Sequence, residues 1–239
     1  MIKIENTEVI GWEHAIRGMR NPKNSWVRSD SEWCAYKSCK DCSLYDTENF
    51  ECTHTEELGF VIGPNDHKLM MQLANGGAVH AKYRRMIVVY LDITAPLYWW
   101  KEFDTYKVGT VANSCSTMHK IHEKPFTVND ISIDVLQAGT AGDKELKAHY
   151  KHMTLILDSL NNLRDLYLKT KDKKYWRCMI EMLPSSYNQK RTIMLNYEVL
   201  VGMYCDRKNH KLDEWREFCK WVESLPYSEL IIGNTEEEG

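Results

Sequence analysis

Glycine and proline are scarce in this chain, at 12 and 6 of 239 residues. Collagen-like and low-complexity segments need one or both in quantity, so those classes are excluded. Long apolar runs are also missing. The longest strongly apolar stretches are Met86–Leu91 and Leu97–Trp100, far short of the roughly 18 residues of a bilayer span. Met1-Ile2-Lys3-Ile4-Glu5 does not place a basic region before an apolar core, the pattern of a signal peptide. The expectation is a soluble, cytoplasmic protein with no membrane partner. A basic excess is lacking too: 31 Lys and Arg stand against 34 Asp and Glu, for a net charge of −3. General nucleic-acid binding relies on such an excess and is not expected. A local site for an anionic ligand stays open. No internal repeat is visible.

What is present is enough apolar material for a core, 43% of residues against 27% charged, which excludes intrinsic disorder. The expected organisation is one α+β domain over residues 1–230, with an acidic tail at 231–239. Ile2–Ile10 reads as a strand and Trp12–Met19 as a short helix ended by Asn21-Pro22. Residues 21–57 are polar, aromatic and cysteine-bearing without a period, and read as an irregular insertion rather than a linker, because Trp26, Trp33, Tyr36, Tyr45 and Phe50 favour burial. Gly63-Pro64-Asn65-Asp66 opens a helix that stops at Asn75-Gly76-Gly77. Met86–Ile93 is the strongest strand pattern, broken at Thr94-Ala95-Pro96. Leu97–Tyr106 reads as an aromatic helix, followed by a polar loop over 107–125.

From Asp143, apolar residues recur at three- and four-residue steps: Leu146, Tyr150, Met153, Leu157, Leu160, then Leu163 or Tyr167. They predict a long helix with one buried face. Helices are also expected at Tyr175–Met182, Arg191–Cys205 and Leu212–Ser224. The sheet would thus come from the N-terminal half and the helices from the C-terminal half.

Eight cysteines are present, and in a reducing compartment thiols or a metal are favoured over disulfides. Cys34, Cys39, Cys42 and Cys52 form C-x4-C-x2-C-x9-C, with His54 two positions on. Cys and His at short spacing can hold zinc, but this spacing matches zinc frameworks poorly, so small buried side chains are the preferred reading and no metal is expected. His149 and His152 lie three residues apart on the expected helix, a spacing that permits metal ligation, and their neighbours Lys147 and Lys151 favour a solvated basic surface instead. The stretch Lys107–Lys120 combines short hydroxyls and amides with a lysine at each end. That chemistry suits a phosphate or a polar heterocycle, although a capped turn has the same composition.

The run Ile93-Thr94-Ala95-Pro96-Leu97-Tyr98-Trp99-Trp100-Lys101-Glu102-Phe103 and the hydroxyl-rich loop after it resemble the flavin-dependent thymidylate synthases, the ThyX family. In that family a strand ends in proline, a helix ends in Gln-Trp, and R-H-R-x-x-S-x-N-E-x-S-x-R-Y follows. Glu102 stands at the Gln, Thr105-Tyr106-Lys107 at R-H-R, and Thr110 at the first Ser. One inserted residue puts Asn113 on the Asn, Ser114 on the Glu and Ser116 on the second Ser, while Met118 and His119 replace Arg-Tyr. Met182-Leu183-Pro184-Ser185-Ser186-Tyr187 is similar to a Leu-Pro segment ahead of the family's late helix. Asn196, Leu200 and Arg207 fit N-x-R-x-L…R, with Trp215 beyond, and Glu198 stands where the family has an arginine that contacts the nucleotide. His80 resembles the histidine-bearing segment before the strand.

The resemblance implies a ThyX-like α+β fold, a central sheet with long helices, assembled as a homotetramer. It implies FAD as cofactor, NADPH as reductant, and dUMP or a related pyrimidine nucleotide methylated from methylene-tetrahydrofolate. Lys107, Thr110, Asn113, Asn196 and Leu200 would bind the cofactor. Glu102, Ser116, Glu198 and Arg207 would bind substrate. No catalytic side chain is assigned, and Cys115 need not act as a nucleophile, because the flavin carries the redox chemistry. Glu198 reverses a charge near a nucleotide, for which Arg17, Arg20, Arg84, Arg85 or Arg191 could compensate; an amino function on the base, as in cytosine, would suit it. The other reading is a non-catalytic relative that binds or senses a nucleotide.

Overall fold

The computed structural model describes residues 2–33, 45–46, 51–52, 60–139 and 141–233. The elements in chain order are β1 (Lys3–Ile10), α1 (Trp12–Arg20), β2 (Glu32–Trp33), β3 (Tyr45–Asp46), β4 (Glu51–Cys52), β5 (Phe60–Val61) and α2 (Pro64–Asn75). There follow β6 (Val88–Pro96), α3 (Leu97–Phe103), β7 (Val111–Ser114), α4 (Asp134–Gly139), α5 (Lys144–Thr170) and α6 (Lys173–Met182). The chain ends with β8 (Asn188–Asn196), α7 (Tyr197–Arg207), α8 (Asp213–Glu223) and α9 (Glu229–Ile232). A 3-10 segment, Ala81–Met86, precedes β6. The α+β class stands. Among the described residues no helix is long and apolar enough to cross a membrane.

The main sheet has four strands in the order β1-β6-β8-β7. This corrects two expectations. Arg191–Asn196 is strand, not the start of a helix, and the polar loop contains β7. Within β8, Gln189, Ile193 and Leu195 are buried on alternate positions while Thr192 is exposed. That period of two carries the strand, and the helical pattern begins only at Tyr197. The sheet therefore draws on both halves of the chain. β6 also runs on through Thr94-Ala95-Pro96: Ala95 continues the buried face of Val89, Leu91 and Ile93, and Pro96 is buried on the other face.

Contacts divide the chain into two compact units, with the divisions falling inside β6 after Leu91 and inside β8 after Thr192. The first unit comprises residues 1–3, 92–105 and 112–192. Its core gathers Ile121, Phe126, Ile131, Ile133, Leu157, Leu160 and Met179, with Tyr150, Met153, Leu163 and Tyr167 packed against them. The long helix α5 thus buries the face its sequence predicts. Asp143 caps it by accepting from the backbone N–H of Glu145 and Leu146, which satisfies two donors that the first turn leaves open. In α3, Trp100 and Phe103 are buried and pack edge to face, 5.2 Å apart.

The second unit comprises residues 4–91, 106–111 and 193–239. Trp12 packs edge to face on Tyr197 at 5.4 Å, and Met70, Leu200, Met203, Trp215 and Phe218 are fully buried. A closed polar network sits inside it. Asp66, completely buried, pairs with Arg20 and accepts hydrogen bonds from Ser29, Ser31 and two backbone amides. Burial alone would raise the Asp66 pKa, but the hydrogen bonds from Ser31, Ser29 and Arg20 outweigh it and hold the carboxyl below its ordinary value. Gly63 lets this network close, since a Cβ there would lie 2.3 Å from the Asp30 carbonyl oxygen. Cys34, Cys39, Cys42 and His54 lie outside the described residues, as do the side chain of Cys52 and the acidic tail from residue 234.

Candidate functional site

The second unit holds Lys107, Thr110, Asn196, Glu198, Leu200 and Arg207. β8 passes into α7 with no intervening residue, and Asn196 caps the helix by accepting from the Val199 amide at 3.1 Å. The turn through Gly109 lies against this cap. Gly109 has φ +77, and a Cβ there would sit 3.0 Å from Val199 and 3.1 Å from the Asn196 amide nitrogen. Glycine at 109 is thus what lets the backbone approach the helix start. Next to it, Thr110 Oγ1 is buried with no hydrogen-bond partner among the described residues. Lys107 is exposed, and Leu200 is fully buried core.

Glu198, in the first turn of α7, faces Arg84 of the 3-10 segment, with Nη1 and Oε2 3.7 Å apart. Arg84 is 8% exposed. The pair is electrostatic without a hydrogen bond. Arg84 Nε has no acceptor and Glu198 Oε2 no donor among the described residues. Tyr83 stands beside them. Burial pushes its phenol up to about 12, the Arg84 guanidinium pulls down, and the Glu198 carboxylate pushes up. At neutral pH the phenol keeps its proton and donates to the Met70 carbonyl at 2.8 Å.

Of the five arginines that could offset Glu198, Arg84 is the one placed against it. Arg20 is held by Asp66, and Arg17 and Arg85 are exposed. Arg191, in the first unit, forks onto Asp104 at 2.7 and 3.4 Å and lies 4.1 Å over the Trp100 ring.

Arg207, on the last turn of α7, donates from Nε to the Tyr106 phenol oxygen at 2.9 Å and stacks 4.6 Å over Trp215. Tyr106 donates onward to Asp206 at 3.1 Å. Burial, ahead of its charged neighbours, raises the Tyr106 pKa, so this hydroxyl also stays protonated.

The first unit holds Glu102, Asn113 and Ser116. The Glu102 carbonyl accepts from both the amide and the hydroxyl of Thr105, closing the end of α3. Asn113 is exposed on β7. Ser116 Oγ accepts from the amides of Met118 and His119 at 3.3 and 2.9 Å, a turn held by a hydroxyl. Beyond it, the Cys115 amide donates to Lys190, and its carbonyl accepts from the Gln189 side chain at 2.8 Å. His149 and His152 lie with ring centroids 6.1 Å apart on α5.

Sequence reasoning did not single out Tyr83 or place Tyr106 with Arg207. A buried arginine demands a counter-charge, but no spacing rule connects residues 84 and 198.

In solved structures the chain resembles a thymidylate synthase X (ThyX) from Helicobacter pylori with FAD and dUMP, at a TM-score of 0.62 and 15% identity, covering 96% of each chain. A second structure, a flavin-dependent thymidylate synthase ThyX from the same organism complexed with FAD and dUMP, matches at a TM-score of 0.58 and 15% identity, over 96% of this chain and 95% of that one. The fold is therefore ThyX-like. No family model matches the chain, and no curated protein matches its sequence.

Proposed function

We propose that this protein is a divergent flavin-dependent thymidylate synthase-like protein that binds a pyrimidine nucleotide, dUMP or a related base, and methylates it with methylene-tetrahydrofolate, FAD and NADPH. The observation that carries this reading is the end-to-end likeness of fold to structures that hold FAD and dUMP. The turn through Gly109, which lies against the start of α7, adds to it. Thr110 Oγ1, buried without a partner, and the exposed Lys107 provide a hydroxyl and a cation of the kind a flavin dinucleotide's phosphates require, and so fit that group. A bound flavin would supply hydride and carbon relay. The chain's own residues would orient it, with the Asn196 cap fixing the start of α7 and Gly109 admitting the backbone close to it.

The Arg84–Glu198 pair favours a second reading, a nucleotide-binding or regulatory protein on the same fold without turnover. A carboxylate beside the arginine cancels charge that would otherwise meet a phosphate.

Purified protein incubated with FAD separates the two. A flavin absorbance band that bleaches with NADPH, and reoxidises when methylene-tetrahydrofolate and dUMP are added, supports the enzyme. Nucleotide binding without flavin binding supports the second reading. A folded protein that binds neither at high micromolar concentration removes both.

A further inference from the structure

The helix α5 opens with cations where a helix disfavours them. Lys144 is its first residue, and Lys147 and Lys151 follow at three- and four-residue steps, so the three share one stripe of its surface. Like charges at those steps repel, and the positive end of the helix dipole adds to the cost. The nearest acids do not answer them. The Asp143 carboxylate is given to the amides of Glu145 and Leu146. Glu145 is adjacent to Lys144 in sequence, a spacing at which side chains do not face each other. Among the described residues none of the three lysines has an ion-pair partner, whereas other lysines of the same unit do: Lys120 with Glu123, Lys174 with Asp172 and Lys190 with Asp92.

The same three lysines line a groove of about 700 Å3 between α5 and Gln137 of α4, a size that accepts a small molecule. Ala148 and Tyr150 also line it, and with the lysine stems they put carbon between the ammonium heads. We propose that this groove binds a linear polycarboxylate, a chain of acid groups joined by hydrocarbon. From Lys144 to Lys151 the helix rises about 10 Å, so a ligand with several anions in a row meets the heads where they stand. Its carboxylates supply the counter-charge that α5 lacks locally. A single phosphate would draw three flexible side chains to one point, at a cost in their entropy. A polyphosphate has the charge but no apolar spine for Ala148 and Tyr150 to cover. The groove lies wholly within the first unit, and the proposal does not depend on the nucleotide reading.

The test titrates the full-length protein by calorimetry with N-acetyl-triglutamate and, separately, with inorganic triphosphate, at neutral pH and matched ionic strength. The glutamate trimer should bind more tightly than triphosphate, and should weaken as salt is raised. Replacing the three lysines together, Lys144→Gln with Lys147→Gln and Lys151→Gln, should weaken the trimer at least about tenfold. Lys169→Gln, at the other end of α5, should leave it unchanged. The triple variant should melt no lower than the wild type, because it sheds like-charge neighbours, and only the wild type should melt higher with the trimer present. Titration of dUMP into both proteins should give one affinity, which separates failure of the groove from failure of the nucleotide reading. Trimer binding that survives the triple variant, or that falls equally with Lys169→Gln, overturns the groove as its site. Triphosphate binding as tightly as the trimer overturns the polycarboxylate assignment. No binding of the trimer at millimolar concentration overturns the proposal, whatever dUMP does.

Discussion

Arg207 gives its Nε hydrogen to the phenol oxygen of Tyr106 at 2.9 Å while its guanidinium plane lies over Trp215. Lysine has neither the plane nor that donor. Arg207→Lys should therefore lower unfolding stability by about 1–2 kcal/mol, read from a urea midpoint. Tyr106→Phe should cost a similar amount by breaking the link to Asp206. An unchanged midpoint in both variants would mean that the stack contributes nothing.

Glu198 stands opposite Arg84, so an arginine at 198 would place two cations together with little solvent between them. Glu198→Arg should destabilise the protein by roughly 3 kcal/mol. The exchanged pair, Arg84→Glu with Glu198→Arg, should recover part of that loss. Chemical denaturation of the wild type, both single variants and the double variant completes the cycle. A double variant no more stable than the sum of the single losses predicts would show that the two side chains do not interact.

Asp66 should govern acid unfolding of the second unit. Its folded pKa lies below the ordinary value of 3.8. The stability it contributes is therefore complete above that value and is lost as pH falls through the folded value. Asp66→Asn should cost about 3–5 kcal/mol at neutral pH, since Arg20 is left buried and unpaired. It should also flatten the fall in stability below about pH 4. Melting temperatures recorded from pH 7 down to pH 2.5 test both effects. A variant that keeps the wild-type slope would remove Asp66 from the acid transition.

Gly11 carries φ +96, and a Cβ there would lie 2.1 Å from the Met86 carbonyl oxygen. Backbone blocks the added atom, so no rotamer change relieves it. Gly11→Ala should cost about 2 kcal/mol or more, whereas Gly202→Ala, with nothing within 4 Å, should leave the thermal midpoint unchanged or raised. Equal midpoints for the two variants would refute this account.

The elements legible in the sequence were those whose period was long or whose punctuation was strong. α5 shows its apolar face over more than six turns, and Asp143 marks its start. β8 was misread because Arg191–Leu195 is short, and its alternating burial mixes Arg, Thr and Met with the core residues, so a helical period fits as well as a strand period. β7 was missed for another reason: all four of its residues are exposed, so no hydrophobic pattern exists to find. At the candidate site, Asn196 is the cap of α7 and Arg207 lies in its last turn, whereas the expected helix Arg191–Cys205 put the first inside it and the second beyond its end. Spacing cannot report a partner more than a hundred residues away. Arg84 was only one of five cations that could answer Glu198, and the pairing became visible once Ala81–Met86 and α7 were placed in space.

Two strands, β6 and β8, become helices without a single linking residue, at Pro96–Leu97 and at Asn196–Tyr197. Each junction is pinned by backbone bonds, Leu97 and Tyr98 to Tyr187 and Ser185, and Tyr197 to Ile87. Joints so short and so tethered leave little slack for a hinge. Residues riding on the first turns of these helices are carried as fixtures of the strands, and the Glu198 carboxylate is held in place by the β8–α7 joint rather than by a loop.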